Sequence, residues 1–251
     1  MRLLIRPCLV VALGALSLAS TAIAQPPPPK AERVAFAAGA SSAAIKGQLK
    51  GDETIDYVVK AAAGQTITVT LAPTNKSTSF NVLPPGSADA AMYVSDGAAS
   101  YKGRLPADGD YKVRVYLIRA IARRGAATSY ALTIGVTGAP LRPLASSADA
   151  LVPGTHRHAE ASIPCVANPY DTDKTPKPCK AGVIRRGRDG TATVEIELGT
   201  AGVRNILFEK GKPTASDASE AMSVERKGDT TIVTFPSGER HEIPDALVTG
   251  G

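Results

Sequence analysis

Apolar and polar residues alternate with a period of two through much of this chain. In TIDYVVKA, Ile55, Tyr57 and Val59 share one face, and in TITVTL, Ile67, Val69 and Leu71 alternate with Thr66, Thr68 and Thr70. Successive side chains of an extended strand point to opposite faces, so the pattern predicts half-buried strands. Farther along, DYKVRVYLI sets Tyr111, Val113, Val115 and Leu117 on a core face and leaves Lys112, Arg114 and Tyr116 outside. SYALTIGV sends Tyr130, Leu132, Ile134 and Val136 inward in the same way. Turn residues stand between these runs, as GDE at 51–53, AAGQ at 62–65 and PADGD at 106–110. Short strands broken at intervals of roughly 8–12 residues predict a β-sandwich. The apolar spacing of helical bundles is missing.

The alternation stops at TGAPLRPLASSADALVPG, a stretch rich in Pro, Gly, Ala and Ser, and then resumes. This predicts a linker over 138–154 between two segments that fold on their own, one over 33–137 and a smaller one over 155–251. In the second, AGVIRRGRDGTATVEIEL reads as a hairpin turning at Asp189 and Gly190. Val194, Ile196 and Leu198 would lie on its inner face, with Thr193, Glu195 and Glu197 on the outer one. VRNILFEKGK and DTTIVTFPSGERHEI continue the style. The expected fold class is all-β, a jelly-roll-like β-sandwich followed by a small, disulfide-stapled, mostly-β domain.

The beginning of the chain changes where this fold is expected to work. Arg2 and Arg6 precede an apolar run over 9–18, and Ala22-Ile23-Ala24 forms a small-x-small end, the pattern of a secretory signal peptide over 1–24. The protein is therefore expected in the periplasm or secreted, without transmembrane anchoring, since no other segment approaches the roughly 20 apolar residues of a span. Residues 25–32 contain the proline run Pro26 to Pro29 and read as a spacer. Cys8 would leave with the signal, so Cys165 and Cys179 remain as an even pair in an oxidising compartment and are expected to be bonded. Closing their loop of about 15 residues contributes about 3 kcal/mol in the chain-entropy model. Without Arg2 and Arg6, the 29 Lys and Arg fall to 27 against 23 Asp and Glu, a mild excess. With that balance, no Trp and only four Phe, nucleic acid is not an expected partner.

Familiar catalytic signatures are absent. There is no G-x-S-x-G elbow, phosphate-binding loop, H-E-x-x-H or dinucleotide fingerprint. His156 and His158 would share one side of a strand, a geometry that can bind metal, but only Glu160 stands near as a third ligand, so a solvated strand edge is the expectation and no metal or cofactor is assigned. Glu195 and Glu197 fall on an outer face and read as solubilising charge rather than an acid and base pair. The match to N-x-[ST] at Asn75, Lys76 and Ser77 carries meaning only in a host that glycosylates it. A binding or scaffolding protein is expected, not an enzyme.

The chemistry that stands out is a basic stretch. Residues 111–148 hold Lys112, Arg114, Arg119, Arg123, Arg124 and Arg142 without one Asp or Glu. Three of these arginines fall in a loop predicted over 118–128, where Gly125, Ala126 and Ala127 let the chain turn tightly. Guanidinium groups are permanently charged and shaped for carboxylate or phosphate.

Over residues 45–136, IKGQLKGDETIDYVVKAAAGQTITVTLAPTNKSTSFNVLPPG followed by GRLPADGDYKVRVYLIRAIARRGAATSYALTIGV resembles two related groups. One is the bacterial pre-peptidase C-terminal-like β-sandwich. The other is the family of periplasmic inhibitors of g-type lysozyme, similar in its AGQ and FNV…PPG segments and in an arginine-bearing loop between the last two strands. The second resemblance implies a non-enzymatic partner for a g-type lysozyme, whose cleft holds a catalytic carboxylic acid, with Arg114, Tyr116, Arg119, Arg123 and Arg124 as the partner-binding residues. Another acidic protein or glycan remains open as the partner, and so does a structural or peptidoglycan-associated role in the cell envelope. The C-terminal segment ending ERHEIPDALVTGG resembles a tail domain of uncharacterised exported alphaproteobacterial proteins.

Overall fold

Alternation becomes strand pairing in the computed structural model, which describes residues 27–168 and 172–250. The signal-like segment, with Cys8, lies outside the described residues. The first unit contains β1 (Lys30–Arg33), β2 (Ser42–Lys50), β3 (Thr54–Ala61), β4 (Thr66–Pro73), β5 (Thr78–Leu83), β6 (Tyr93–Val94), β7 (Ser100–Arg104), β8 (Gly109–Leu117) and β9 (Ala127–Thr137). They form two sheets, ordered β1-β3-β8-β5-β6 and β2-β9-β4-β7. All pairs are antiparallel except β1 with β3.

The inward residues named from the sequence are buried. Tyr57, Val59, Ile67, Val69, Leu71, Tyr111, Val113, Val115, Tyr130, Leu132 and Ile134 form one core between the sheets with Phe80 and Leu105. The buried phenols find polar partners, as burial requires of them: Tyr57 and Tyr130 hydroxyls meet at 2.8 Å, and Tyr111 donates to the Ala107 carbonyl at 2.8 Å. Each expected turn forms where its residues allow. Gly64 adopts φ +80°, and a Cβ there would also sit 2.4 Å from Leu141 Cγ, so both backbone and packing require glycine.

The second unit is one antiparallel sheet of eight strands ordered β14-β13-β12-β11-β10-β17-β16-β15. These are β10 (Ala159–Val166), β11 (Lys177–Arg185), β12 (Ala192–Glu197), β13 (Val203–Glu209), β14 (Lys212–Ser216), β15 (Ser223–Lys227), β16 (Thr230–Thr234) and β17 (Arg240–Pro244). The hairpin expected at Asp189 and Gly190 joins β11 to β12, with Arg185 opposite Ala192. The disulfide between Cys165 and Cys179 ties β10 to β11 with Cα atoms 5.9 Å apart. Its apolar face gathers Ile163, Val183, Val194, Ile196, Ile206, Phe208 and Ile243.

The opposite face of this sheet is not all solvated. Thr193, expected outside, is fully buried because β12 and β13 lie against an end of the sandwich. Its hydroxyl donates to the Pro106 carbonyl at 2.8 Å and accepts from Arg186 Nε at 3.0 Å. The Arg186 side chain, fully buried, pairs with Asp108 at 2.9 Å and donates to the Leu141 carbonyl. Leu207 joins Ala63, Ala215 and Leu141 in a small apolar cluster across the junction, and Arg104 grips Glu209 beside it. The stretch over 138–154 is bonded on both sides: Leu141 N–H donates to the Ala63 carbonyl at 2.9 Å and Leu144 N–H to the Arg185 carbonyl at 2.8 Å.

Arg186→Ala removes a buried charged donor and leaves the Leu141 carbonyl and Thr193 hydroxyl short of a partner, a change worth about 2–3 kcal/mol. Chemical denaturation followed by calorimetry should show that loss together with separated unfolding of the two units. A shift below about 0.5 kcal/mol, the size of an ordinary surface change, would mean that the junction does not couple them.

Candidate functional site

Three turns meet at the end of the sandwich away from the second unit. They connect β2 to β3, β4 to β5, and β8 to β9. Backbone bonds lace them together: Ile118 N–H donates to the Ser77 carbonyl at 2.9 Å, and Gly51 N–H to the Ala126 carbonyl at 2.8 Å. The junction with the second unit lies instead at the turns joining β3 to β4 and β7 to β8. The nine residues of β8, about 30 Å of extended chain, separate the two ends.

The loop expected over 118–128 is shorter and more ordered than its sequence suggests. A single helical turn, α1 (Arg119–Ala122), follows Ile118, with Ala122 buried beneath it. Gly125 then takes φ +71°, a left-handed conformation that reverses the chain into β9. The strands on either side do not form a hairpin. Strand β8 belongs to the five-stranded sheet and β9 to the four-stranded one, so the arginine segment crosses from sheet to sheet.

The five arginine-loop candidates divide into two groups. Arg114, between β3 and β5, holds both carboxylate oxygens of Asp56 at 2.7 and 2.9 Å, Asp89 at 2.8 Å and the Ala88 carbonyl at 2.9 Å. Asp56 is nearly buried, so this guanidinium neutralises a charge that would otherwise be stranded. Tyr116 donates to Asn81 Oδ1 at 3.0 Å. Arg119, Arg123 and Arg124 are exposed, and their side chains form no hydrogen bond or ion pair among the described residues. Arg119 does share a shallow depression of about 400 Å³ with Arg114, Tyr116, Leu117, Asn81, Asp52, Glu53, Pro27 and Pro29. Arg123 and Arg124 lie outside it.

The histidines are bonded within the second unit and its connecting segment. His158 is buried, its Nδ1 accepts the Arg185 N–H at 3.0 Å and its Nε2 donates to the Leu144 carbonyl at 3.1 Å. It is thus not the solvated edge residue expected from the sequence, because the 138–154 segment covers it. His156 is exposed and bonds Glu195. Glu160, Glu195 and Glu197 surround Arg157 at 2.9, 2.8 and 3.1 Å. No cluster of three His, Cys, Asp or Glu residues suited to a metal occurs among the described residues, and no described helix is long and apolar enough to cross a membrane.

Sequence reasoning missed a second charged centre. Arg204 on β13 binds Glu239 through two bonds of 2.8 and 3.0 Å and Asp217 at 2.9 Å, and its guanidinium stands 5.3 Å from the Phe235 ring centroid. His241, fully buried, lies 2.8 Å from the same Glu239. Burial alone would raise the Glu239 carboxyl, but bonds from Arg204 and His241 outweigh it and hold its pKa down at about 2. The one signal available was an arginine and a histidine, Arg204 and His241, within otherwise strand-like runs.

No protein-family model matches this chain, and no curated protein matches it. Solved structures do. PliG of Aeromonas hydrophila, a periplasmic lysozyme inhibitor of g-type lysozyme, is 38% identical, with 98% of its chain and 44% of this one covered and a TM-score of 0.42. PliG of Salmonella Typhimurium is 31% identical over 98% of its chain and 43% of this one, with a TM-score of 0.36. A mutant of the Escherichia coli inhibitor is 30% identical over 99% and 43%, with a TM-score of 0.35. At 38% identity across nearly all of the Aeromonas protein, this chain belongs, through the part matched, to the family of periplasmic inhibitors of g-type lysozyme. These comparisons give no support to the alphaproteobacterial resemblance of the C-terminal segment or to a glycan as partner.

Arg114→Ala strands the Asp56 carboxylate and should cost about 3–5 kcal/mol, whereas Arg119→Ala should stay within about 0.5 kcal/mol. Urea titration of the two variants checks this, and equal effects would contradict the division. The second unit should also weaken in acid. Because the folded pKa of Glu239 lies below its ordinary value of 4.5, its contribution is complete above that value and is lost as pH falls through about 2. Denaturation midpoints between pH 5 and 2 should fall less steeply for Glu239→Gln than for the unaltered protein.

Proposed function

We propose that this protein is an exported, non-enzymatic inhibitor of g-type lysozyme, working through the sandwich end that presents Arg119, Arg123 and Arg124. The observation that carries this reading is the 38% identity to the Aeromonas inhibitor across 98% of that chain. The signal-like pattern over 1–24 agrees with a periplasmic or secreted protein.

The geometry supplies a physical route. Bonds along β8 fix Arg114 and Tyr116, so they brace the surface on which the loop stands. The unpartnered guanidinium groups of Arg119, Arg123 and Arg124 are free to meet carboxylates of a partner, where desolvation on docking strengthens charge-assisted bonds. The second unit sits at the far end and leaves this surface uncovered.

Inhibition of a purified g-type lysozyme is the test. Truncating one member of a desolvated charge pair costs about 2–5 kcal/mol, or roughly 30-fold and upward in affinity, so Arg119→Ala and Arg123→Ala should each weaken inhibition by at least that factor with folding intact. No inhibition by the unaltered protein at micromolar concentration would remove the lysozyme reading. Inhibition untouched by both substitutions would move the contact elsewhere on the sandwich.

A further inference from the structure

The proline segment before β1 opens onto the same end as the arginines. Strand β1 runs parallel to β3, with Lys30 opposite Ile55, so the chain ahead of Lys30 emerges where β3 begins, beside the turn from β2 to β3. Its anchorage is firm. Arg33 binds both carboxylate oxygens of Asp110 at 3.0 and 2.6 Å, Val34 N–H donates to the Val58 carbonyl at 2.8 Å, and Val34 and Phe36 pack on the core.

Held this way, Pro27 and Pro29 stand exposed as part of the wall of the 400 Å³ depression that also contains Tyr116, Leu117 and Arg119. Proline fixes its own φ and gives up no backbone donor, so a run of it is stiff and fully solvated before any contact forms. A stiff arm loses little conformational freedom on binding. Tyr116 gives this lining an aromatic surface, Arg119 an unpartnered cation, and Asp52 and Glu53 acidic groups. The charge of Arg114, which also lines the depression, is already met by Asp56 and Asp89.

We infer that Pro27 and Pro29 form, with Arg119, a two-sided cleft that takes a segment of the partner protein, one that lays an apolar surface on the prolines and Tyr116 and presents a carboxylate to Arg119. This rests on the lysozyme reading and adds to it a contact beyond the arginine pattern. The arm acts as a preformed edge of the binding surface, and the arginine turn is its opposite edge.

The experiment compares the unaltered protein, Arg119→Ala and the double variant Pro27→Gly, Pro29→Gly as inhibitors of one g-type lysozyme, with thermal unfolding measured for each. The glycine variant is expected to unfold at the same temperature and to inhibit about tenfold more weakly, the factor that corresponds to about 1.4 kcal/mol. A fluorophore on Pro27→Cys should change its emission when lysozyme is added. Full inhibition by the glycine variant, alongside weakened inhibition by Arg119→Ala, would overturn the arm and keep the lysozyme reading. A lowered unfolding temperature in the glycine variant that accounts for its weaker inhibition, with a silent fluorophore, would make the arm a fold element and overturn the inference. No inhibition by the unaltered protein would overturn both.

Discussion

Burial of Arg186 between the two units is the constraint from which the arrangement of this molecule follows. A guanidinium fully removed from water requires several acceptors held at fixed positions. Asp108 on the sandwich, the Leu141 carbonyl on the connecting segment and Thr193 on the second sheet provide them. Because these acceptors come from three parts of the chain, the bonds of one side chain, through its Nε and one terminal nitrogen, fix the sandwich, the connection and the second sheet together. The apolar contact of Leu207 with Ala63 and Leu141 and the Arg104 pair with Glu209 reinforce that placement.

That docking decides which end of the sandwich is available. The second unit covers the turns at the start of β8, and the opposite end keeps three exposed arginines on a segment that crosses between sheets. Along β8 the same residue type performs two different tasks. Arg114 is an internal counter-ion whose loss would leave Asp56 charged in a nearly dry place, while Arg119, two residues past the end of the strand, is exposed and has no bonded partner among the described residues. Charge alone does not separate these roles. Depth and the nearest carboxylate do.

The second unit shows how an all-β sheet can accommodate charge inside. Arg204, Glu239, Asp217 and His241 come from different strands and turns yet share one set of bonds. Two carboxylates around one guanidinium, with an aromatic ring at its face, make a centre in which each group depends on the others for its solvation. Such a centre ties β13 to the strands at the far side of the sheet order, as the disulfide ties β10 to β11.

By itself the sequence determined the faces and the turns. Period-two alternation is local, and it placed Tyr57, Val113, Leu132 and Val194 in cores correctly; Gly64 and Gly125 marked reversals because few other residues tolerate a positive φ; and two cysteines left beyond a signal-like segment implied their bond. The arginine loop was visible as an unbroken run of one charge. What only the tertiary structure decided was what covers each outward face. Thr193 and Leu207 are buried by a different unit, His158 by the connecting segment, and Arg114 is matched to a carboxylate 58 residues away. Alternation specifies that a side chain leaves the core, but its next neighbour is set by contacts between distant segments, and these carry no periodic signal along the chain.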